Sequence, residues 1–369
     1  MSTPSPQSAL RDRSDFDRLD AACEAIWSRA QAVDEVADLP IDDLNELDRA
    51  GLLAAVLPGH GFVTDPDQFG RVLRAIGRAS LTVGRLYEGH ANAARLIDHY
   101  GGDEARAILA DEVRAGRISG VWNAERSDGP RIIPTDGGWQ LSGRKIHCSG
   151  AGHIRRPIVT ARDPEDRRWM LLPDLTAPGV TVDVSVWRAA GMRGTATATV
   201  CFEALFVPAA SAIGNADDYY RSPLFSGGAW RVLAVQLGGL DRILALHAER
   251  LLASKRHEDP VFRARFATAA ASFEGARLLV AEAGRRAEEM HGDPGTIDAY
   301  VDQARGQFEL LALGVIDATR RNIGLSSFIA PDPLDRCLRD LETYLRQPFV
   351  DASRDSAARW LLAREGRFA

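Results

Sequence analysis

The chain has 369 residues with a formal net charge of −6, which argues against a nucleic-acid partner held by phosphate neutralisation. At this length two or three packed units are expected, and the 45% hydrophobic and 26% charged content is that of a globular protein. The sequence has no run of 18 apolar residues that would predict a membrane helix, and its start lacks the apolar core of a signal peptide, so we expect a cytoplasmic protein.

The first third of the chain has helical periodicity. Residues 1–13 are rich in Ser and Pro and are predicted to be a mobile N-terminus. Apolar residues then recur every third or fourth position, beginning with a stripe from Phe16 to Trp27, and Gly101 and Gly102 mark a helix end. We therefore predict an N-terminal α-helical domain over residues 14–116.

The pattern changes to short alternating runs from Arg117 onward. The segment from Trp187 to Pro208 combines a Gly-Met-Arg-Gly turn with alternation that starts at Thr195, and Pro208 has no backbone N–H with which to continue a strand. Together with similar runs before it, this segment predicts a central β-barrel or β-sandwich domain over residues 117–212.

The remainder of the chain is again helical in pattern. Long Ala- and Leu-rich stretches carry apolar residues at helical spacing, and they predict helices over 230–255, 260–289, 297–322 and 334–345, with a last one near 353–364. These helices predict a C-terminal four-helix bundle over residues 225–369. The four cysteines lie far apart without a Cys-x-x-Cys pair, so we expect neither a disulfide framework nor a metal site.

Four motifs occur in order within this α–β–α arrangement. They are the helix end and short helix from Tyr100 to Gly116, the segment Gly138 to His153, the turn and strand Gly191 to Pro208, and the Gly, Pro and Arg-Asp positions between Gly324 and Asp340. In this order they resemble the acyl-CoA dehydrogenase superfamily of flavoproteins.

The resemblance implies a flavin, FAD or alternatively FMN, between the β domain and the bundle. Ser149 matches a hydroxyl residue beside the flavin N5 edge, and His147 takes the place of a Trp that covers the ring. The other positions implied to contact flavin or its phosphates are Trp122, Asn123, Ser127 and Arg193. An ordinary strand-end hydroxyl and a partly buried histidine remain the alternatives for Ser149 and His147.

The carboxylate that a dehydrogenase needs as a base is missing from both positions where the superfamily places it. One position holds Trp230, which we expect to close the substrate pocket, and the other holds Pro348. Asp351 and Glu88 are the replacement candidates. On the helix that would line the pocket, His90 is a further catalytic candidate and Tyr87 is a pocket residue. For Tyr87, Glu88 and His90 the alternative is an exposed helix start.

Three functional hypotheses follow. The first is a dehydrogenase acting on the CH–CH groups of an acyl (thio)ester, with hydride transfer to flavin. The second is a flavin-dependent monooxygenase of the same fold, and the third is a flavin-free binding or assembly protein. The implied partners are a small acyl substrate such as a CoA thioester, an electron-transfer flavoprotein or flavin reductase, and further copies of the chain in a homodimer or homotetramer.

Overall fold

The structure is a computed structural model that describes residues 13–57, 65–289, 292–346, 350–365 and 367. The predicted mobile segment 1–13 therefore lies outside the described residues, except for Arg13, where the first helix begins. Within the described part, no helix is long and apolar enough to cross a membrane.

The N-terminal part of the chain is helical, as its periodicity predicts. Asp65 caps one helix by accepting from two backbone N–H groups, with Pro66 in the first turn, and Ser80 caps the next. The helices are α1 (Arg13–Val36), α2 (Ile41–Arg49), α3 (Leu52–Ala55), α4 (Pro66–Ala79), α5 (Leu81–Tyr100) and α6 (Asp103–Arg114).

The middle of the chain forms one eight-stranded sheet in the order β6-β7-β3-β2-β4-β5-β8, with β1 paired to β4. Its centre is the long antiparallel pair β3–β7, whose register shifts between Lys145 and Cys148. The strands are β1 (Val121–Trp122), β2 (Arg131–Thr135), β3 (Gly138–Cys148), β4 (Ile158–Arg162), β5 (Arg168–Leu171), β6 (Val180–Asp183), β7 (Ala198–Pro208) and β8 (Ala212–Ile213).

The strand after the Gly-Met-Arg-Gly turn begins later than the alternation predicts. The alternation favours strand from Thr195, but Arg193–Thr195 form a short 3-10 turn and β7 starts at Ala198. Met192 and Ala196, on either side of this turn, both have positive φ, which is incompatible with an extended strand. Thr195 and Thr197 therefore do not belong to the sheet, and both side chains are buried.

Three thirty-residue helices dominate the C-terminal part; the first packs against α4 and α5, and the second packs against α4. The contact is close because it uses glycine: a Cβ on Gly238 would lie 2.1 Å from the Arg74 carbonyl oxygen, and one on Gly77 would lie 2.1 Å from that of Val235. The helices are α7 (Leu224–Ala253), α8 (Pro260–Glu289), α9 (Pro294–Ile323), α10 (Pro333–Tyr344) and α11 (Val350–Leu362). The predicted order of helices, strands and helices is confirmed.

Candidate functional site

A cavity of about 1080 Å³ lies where the sheet meets the helical parts. One face of α5 and the first half of α7 form one side, and the sheet and its loops form the opposite wall. The middle of α9, the end of α10 and the start of α11 close the cavity. Its volume is at the upper end of the roughly 300–1,000 Å³ typical of small-molecule sites.

The sheet wall of the cavity presents a chain of hydroxyl groups. Thr197 donates to the Ser149 hydroxyl at 3.3 Å, and Thr195 shares a hydrogen bond of 2.8 Å with Thr197. The indole N–H of Trp122 donates to the backbone carbonyl of Ser149 at 3.1 Å, from a buried position outside the cavity lining. Trp122 therefore fixes the backbone on which Ser149 is carried.

His147 enters the cavity because of an irregularity in β3. Its φ of 55° coincides with the register shift between Lys145 and Cys148, which is the geometry of a β-bulge that redirects a side chain. The imidazole lines the cavity with its ring centroid 6.5 Å from that of Trp187. Backbone strain of this kind is commonly found at functional sites.

A buried polar cluster supports Asn123 at another point of the same wall. The Asn123 side-chain oxygen accepts from Thr160 at 2.8 Å and from Arg168 at 3.2 Å, and its backbone carbonyl accepts from Lys145 at 2.9 Å. Burial lowers the pKa of Lys145 to about 8 although Glu125, 2.5 Å away, opposes the change. Burial would raise the pKa of Glu125, but hydrogen bonds from Arg168 and Lys145 outweigh it and keep that pKa below its usual value.

Glu88 lies on the cavity face of α5 and is fully buried. Its carboxylate pairs with Arg85, accepts from Asn92 at 2.6 Å and accepts from the Tyr344 hydroxyl at 3.3 Å. Burial raises the pKa of Glu88, although the positive charge of Arg85 opposes this rise. A carboxyl group with a raised pKa facing a cavity is a candidate for proton transfer.

The structure places Tyr87 and His90 away from the cavity, which corrects their prediction as pocket and catalytic residues. The Tyr87 hydroxyl donates to the Leu52 carbonyl at 3.1 Å, and the His90 ring bonds the Leu53 carbonyl and the Ser119 N–H. Successive residues on a helix are about 100° apart, so Tyr87 and His90 lie on a different face of α5 from Glu88 and reach α3 instead. Burial lowers the pKa of His90 to about 4, so this histidine is neutral.

Trp230 also lies behind the cavity wall and not in it. Its indole N–H donates to Glu288 at 2.9 Å, and its ring meets Phe69 edge-on at 5.8 Å. Glu288 has a fully buried side chain and also pairs with Arg231 and with Arg95, both of which line the cavity. Trp230 and Glu288 thus hold two cavity arginines in place.

Three other sequence candidates, Ser127, Asp351 and Arg193, lie elsewhere. Ser127 is in an exposed turn, and Asp351 has a 96% exposed side chain paired with Arg354, so neither reaches the cavity. Arg193 lines a separate shallow depression beside Arg339. Pro348 lies outside the described residues. The structure therefore brings together Asn123, His147, Ser149 and Glu88, while the remaining candidates support the site or lie apart from it.

Three aromatic side chains, two in the 3-10 turn before α7 and one in its first turn, form a wall that no sequence motif indicates. Tyr219, Tyr220 and Phe225, here named the aromatic wall, have ring centroids 5.0 to 5.6 Å apart and all line the cavity. Tyr220 is 47% exposed and Phe225 is 43% exposed, so the rings present free surface. Arg85 and Tyr344 are also new members of the site.

The composition of the cavity fits a flavin. Hydroxyl, amide and imidazole groups on the sheet wall can meet the polar edge of a ring system, and arginines can meet a phosphate. On the opposite side, Gly89 of α5 leaves open space, because a Cβ there would meet only the Arg85 side chain, at 3.8 Å. No group of three His, Cys, Asp or Glu side chains suited to a metal ion occurs among the described residues.

Comparisons with known proteins agree with this arrangement. Residues 235–350 match the family model described as acyl-CoA dehydrogenase, C-terminal domain. The probable acyl-CoA dehydrogenase YngJ of Bacillus subtilis is 24% identical over 253 residues, which are 63% of this chain and 66% of YngJ. The oxygenase subunit HsaA, a flavin-dependent monooxygenase of Rhodococcus jostii, is 26% identical over 201 residues, 52% of this chain and 50% of HsaA.

The similarity of fold extends over the whole chain. The crystal structure of FMN-bound TdsC from Paenibacillus sp. A11-2 superposes with a TM-score of 0.83 at 20% identity, covering 97% of this chain and 98% of TdsC. The two curated relatives, by contrast, are matched over only about two thirds and one half of their own lengths. The resemblance to the acyl-CoA dehydrogenase superfamily is confirmed by the fold and by the C-terminal domain.

Proposed function

We propose that this chain, which has the acyl-CoA dehydrogenase fold, is a flavin-dependent monooxygenase that takes reduced FMN or FAD from a separate reductase. When bound and reduced, the flavin supplies the two electrons with which one oxygen atom of O₂ is transferred to substrate and the other is released as water. The similarity to TdsC and to HsaA, whose names describe FMN binding and monooxygenation, supports this proposal.

The flavin would be held by the sheet wall. Ser149 is oriented by Trp122 and Thr197, Asn123 is fixed by Thr160 and Arg168, and His147 projects from its bulge over the cavity. We propose that these three residues contact the flavin, because they are the sequence candidates that line one cavity. Preorganised donors of this kind need little rearrangement when a ligand binds.

The observation that carries the proposal is the state of the cavity carboxylates. Among the described residues, every carboxylate that lines the cavity is paired with a cation: Glu88 with Arg85, Glu125 with Lys145, Asp302 with Arg305 and Glu309 with Arg346. Removing an α proton from an acyl substrate needs a base, and pairing with a cation lowers the basicity of a carboxylate. A monooxygenase has no such requirement, and it benefits from a cavity that excludes water.

The residues of the chain would bind substrate, exclude water and handle one proton. Met192, Trp187 and Phe308 contribute apolar lining that limits water near the reacting atoms. Burial raises the pKa of Glu88, and its carboxylate accepts a hydrogen bond from the Tyr344 hydroxyl. This pair is the candidate through which a proton enters or leaves the bound substrate.

A dehydrogenase acting on an acyl-CoA is the second candidate, and one observation favours it. Glu88 is a buried cavity carboxylate with a raised pKa, which is the property of an α-proton base. YngJ, the relative matched over 253 residues, is described as a probable acyl-CoA dehydrogenase. Against this, both Glu88 oxygens accept hydrogen bonds from Arg85, Asn92 and Tyr344.

The two reactions differ in how the bound flavin is reduced and reoxidised. The protein is loaded with FMN or FAD and mixed anaerobically with acyl-CoAs of increasing chain length while absorbance near 450 nm is followed. A second sample is reduced chemically and mixed with O₂, and the hydrogen peroxide released per flavin is compared with that from free reduced flavin. We expect no bleaching by any acyl-CoA and a delayed release of peroxide; rapid bleaching by one acyl-CoA would establish the dehydrogenase instead.

A further inference from the structure

Arginine and carboxylate side chains meet on the wall of the cavity formed by α5 and α7. Arg85, Arg95 and Arg231 lie against the fully buried carboxylates of Glu88 and Glu288. A third carboxylate, that of Asp98, lies 3.6 Å from Arg95 with 35% of its side chain exposed. The formal charges of this group are balanced, so an anionic ligand is favoured where an arginine keeps N–H donors that its carboxylate does not use.

Arg85 is the member of this wall best placed to meet a ligand. It lines the cavity with 23% of its side chain exposed, whereas the side chains of Arg95 and Arg231 are 10% and 2% exposed. Its Nη1 donates to Glu88 and its side chain also shares a hydrogen bond with Tyr344, which leaves part of the five N–H donors of the planar guanidinium for a ligand. Glu88, itself held by Asn92 and Tyr344, fixes the orientation of that fork.

The aromatic wall lines the same cavity as Arg85. Burial raises the pKa of Tyr219, and the charges of Arg168 and, to a smaller extent, Arg85 oppose this rise. The Arg168 guanidinium lies 5.4 Å from the centroid of the Tyr220 ring. The exposed faces of Tyr220 and Phe225 continue the same wall toward the rim of the cavity. Aromatic side chains bind planar rings by offset or edge-to-face contact, which is worth about 0.5–1.5 kcal/mol per pair beyond burial.

We propose that the substrate is a planar aromatic acid whose ring packs on the aromatic wall and whose anionic group is bound by Arg85. This inference names a substrate class for the proposed function and rests on it. Arg85 is then a specificity-determining residue, and Glu88 is its positioning residue. The pair that arginine forms with a carboxylate is stronger than its hydrogen bond to an uncharged group, because the pair is charge-assisted and can be bidentate.

Binding of a matched pair of probes tests the inference without any turnover. Naphthalene-2-carboxylate and naphthalene-2-carboxamide have the same ring and nearly the same shape, and their dissociation constants are measured by calorimetry with flavin-free and flavin-loaded protein. The wild-type protein should bind the carboxylate about tenfold or more tightly than the amide, as expected for a hydrogen-bonded charged group in a cavity. Equal affinities, or no binding of either probe, would overturn the inference.

Variants of the protein test whether Arg85 causes the preference for the carboxylate probe. Arg85→Gln should abolish the preference for the carboxylate, and Arg85→Lys, which keeps the charge and guards against misfolding, should retain part of it. Phe225→Ala should weaken the binding of both probes by a similar factor. Arg277→Gln is the matched control, because Arg277 forms an arginine–glutamate pair three residues apart on the outside of α8 and should change neither affinity. A preference that survives Arg85→Gln would refute the assignment.

The flavin phosphate is the other anion that Arg85 could bind, and measurements of flavin binding distinguish it from the anionic group of the substrate. FMN carries a phosphate and riboflavin does not, so the ratio of their affinities reports a phosphate contact. We expect Arg85→Gln to leave the ratio of FMN affinity to riboflavin affinity unchanged. A fall in this ratio would show that Arg85 binds the flavin phosphate and would overturn the substrate inference. Failure of the wild-type protein to bind any flavin would instead count against the proposed function, while the probe measurements with flavin-free protein would stand on their own.

Discussion

Replacing Glu288 by alanine should destabilise the protein strongly. The Glu288 carboxylate is fully buried and accepts from Trp230 at 2.9 Å, from Arg95 at 3.1 Å and from two nitrogens of Arg231. Its removal leaves Arg231, whose side chain is 2% exposed, without its counter-charge. Breaking a buried ion pair by removing one partner costs about 3–5 kcal/mol.

This cost corresponds to a measurable change in melting temperature. With an unfolding entropy of about 2.1 cal/mol/K per residue, 369 residues give ~0.8 kcal/mol/K, so the loss of 3–5 kcal/mol lowers Tm by about 4–6 °C. Differential scanning calorimetry of the flavin-free protein measures this change. Glu282→Ala is the matched control on the same helix, because Glu282 pairs with Arg285 at a partly exposed position and its loss should cost at most about 1 kcal/mol. Equal changes in Tm for the two variants would refute the reasoning.

Three further predictions concern the cofactor, the pH dependence and the packing. Ser149→Ala should weaken flavin binding by about three- to tenfold through loss of one hydrogen bond, whereas Ser127→Ala, in an exposed turn, should leave fluorescence titrations unchanged. Burial raises the pKa of Asp340 to about 6 from 3.8, so its contribution to stability is greatest below pH 3.8 and is lost as pH rises through 6. Asp340→Asn should therefore gain in Tm relative to wild type between pH 4 and pH 7, and a relative loss would contradict this sign. Gly238→Ala should cost about 1–3 kcal/mol in thermal unfolding because its Cβ would lie 2.1 Å from the Arg74 carbonyl oxygen, and an unchanged Tm would show that the helices can separate freely.

The order of elements could be predicted from the sequence because each has a distinct apolar period. The predicted helix over 260–289 coincides with α8, and the strand predicted to end at Pro208 ends there. The start of β7 could not be predicted, since the positive φ of Met192 and Ala196 depends on tertiary contacts. Asp340 supplies one of these by accepting the Met192 N–H from a helix almost 150 residues later.

The site could be predicted only in part. The cavity contains three of the predicted residues, Asn123, His147 and Ser149, because the segments that carry them lie at the ends of β1 and β3. One polar partner of Glu88 could not be found, because Tyr344 lies 256 residues away in sequence and meets it only through packing of α10 on α5. Arg85 and Asn92 can be found from the sequence, because they lie three residues before and four residues after Glu88 on the same helix face.

The most direct test of the central claim is titration of the purified, flavin-free protein with FMN and with FAD, followed by visible absorption and flavin fluorescence. The account predicts saturable binding of one or both flavins, with a shifted absorption band and changed fluorescence, and weaker binding by Ser149→Ala. If neither flavin binds at concentrations up to the millimolar range, the fold is retained but the proposed chemistry is contradicted, and the chain would then be a flavin-free binding or assembly protein.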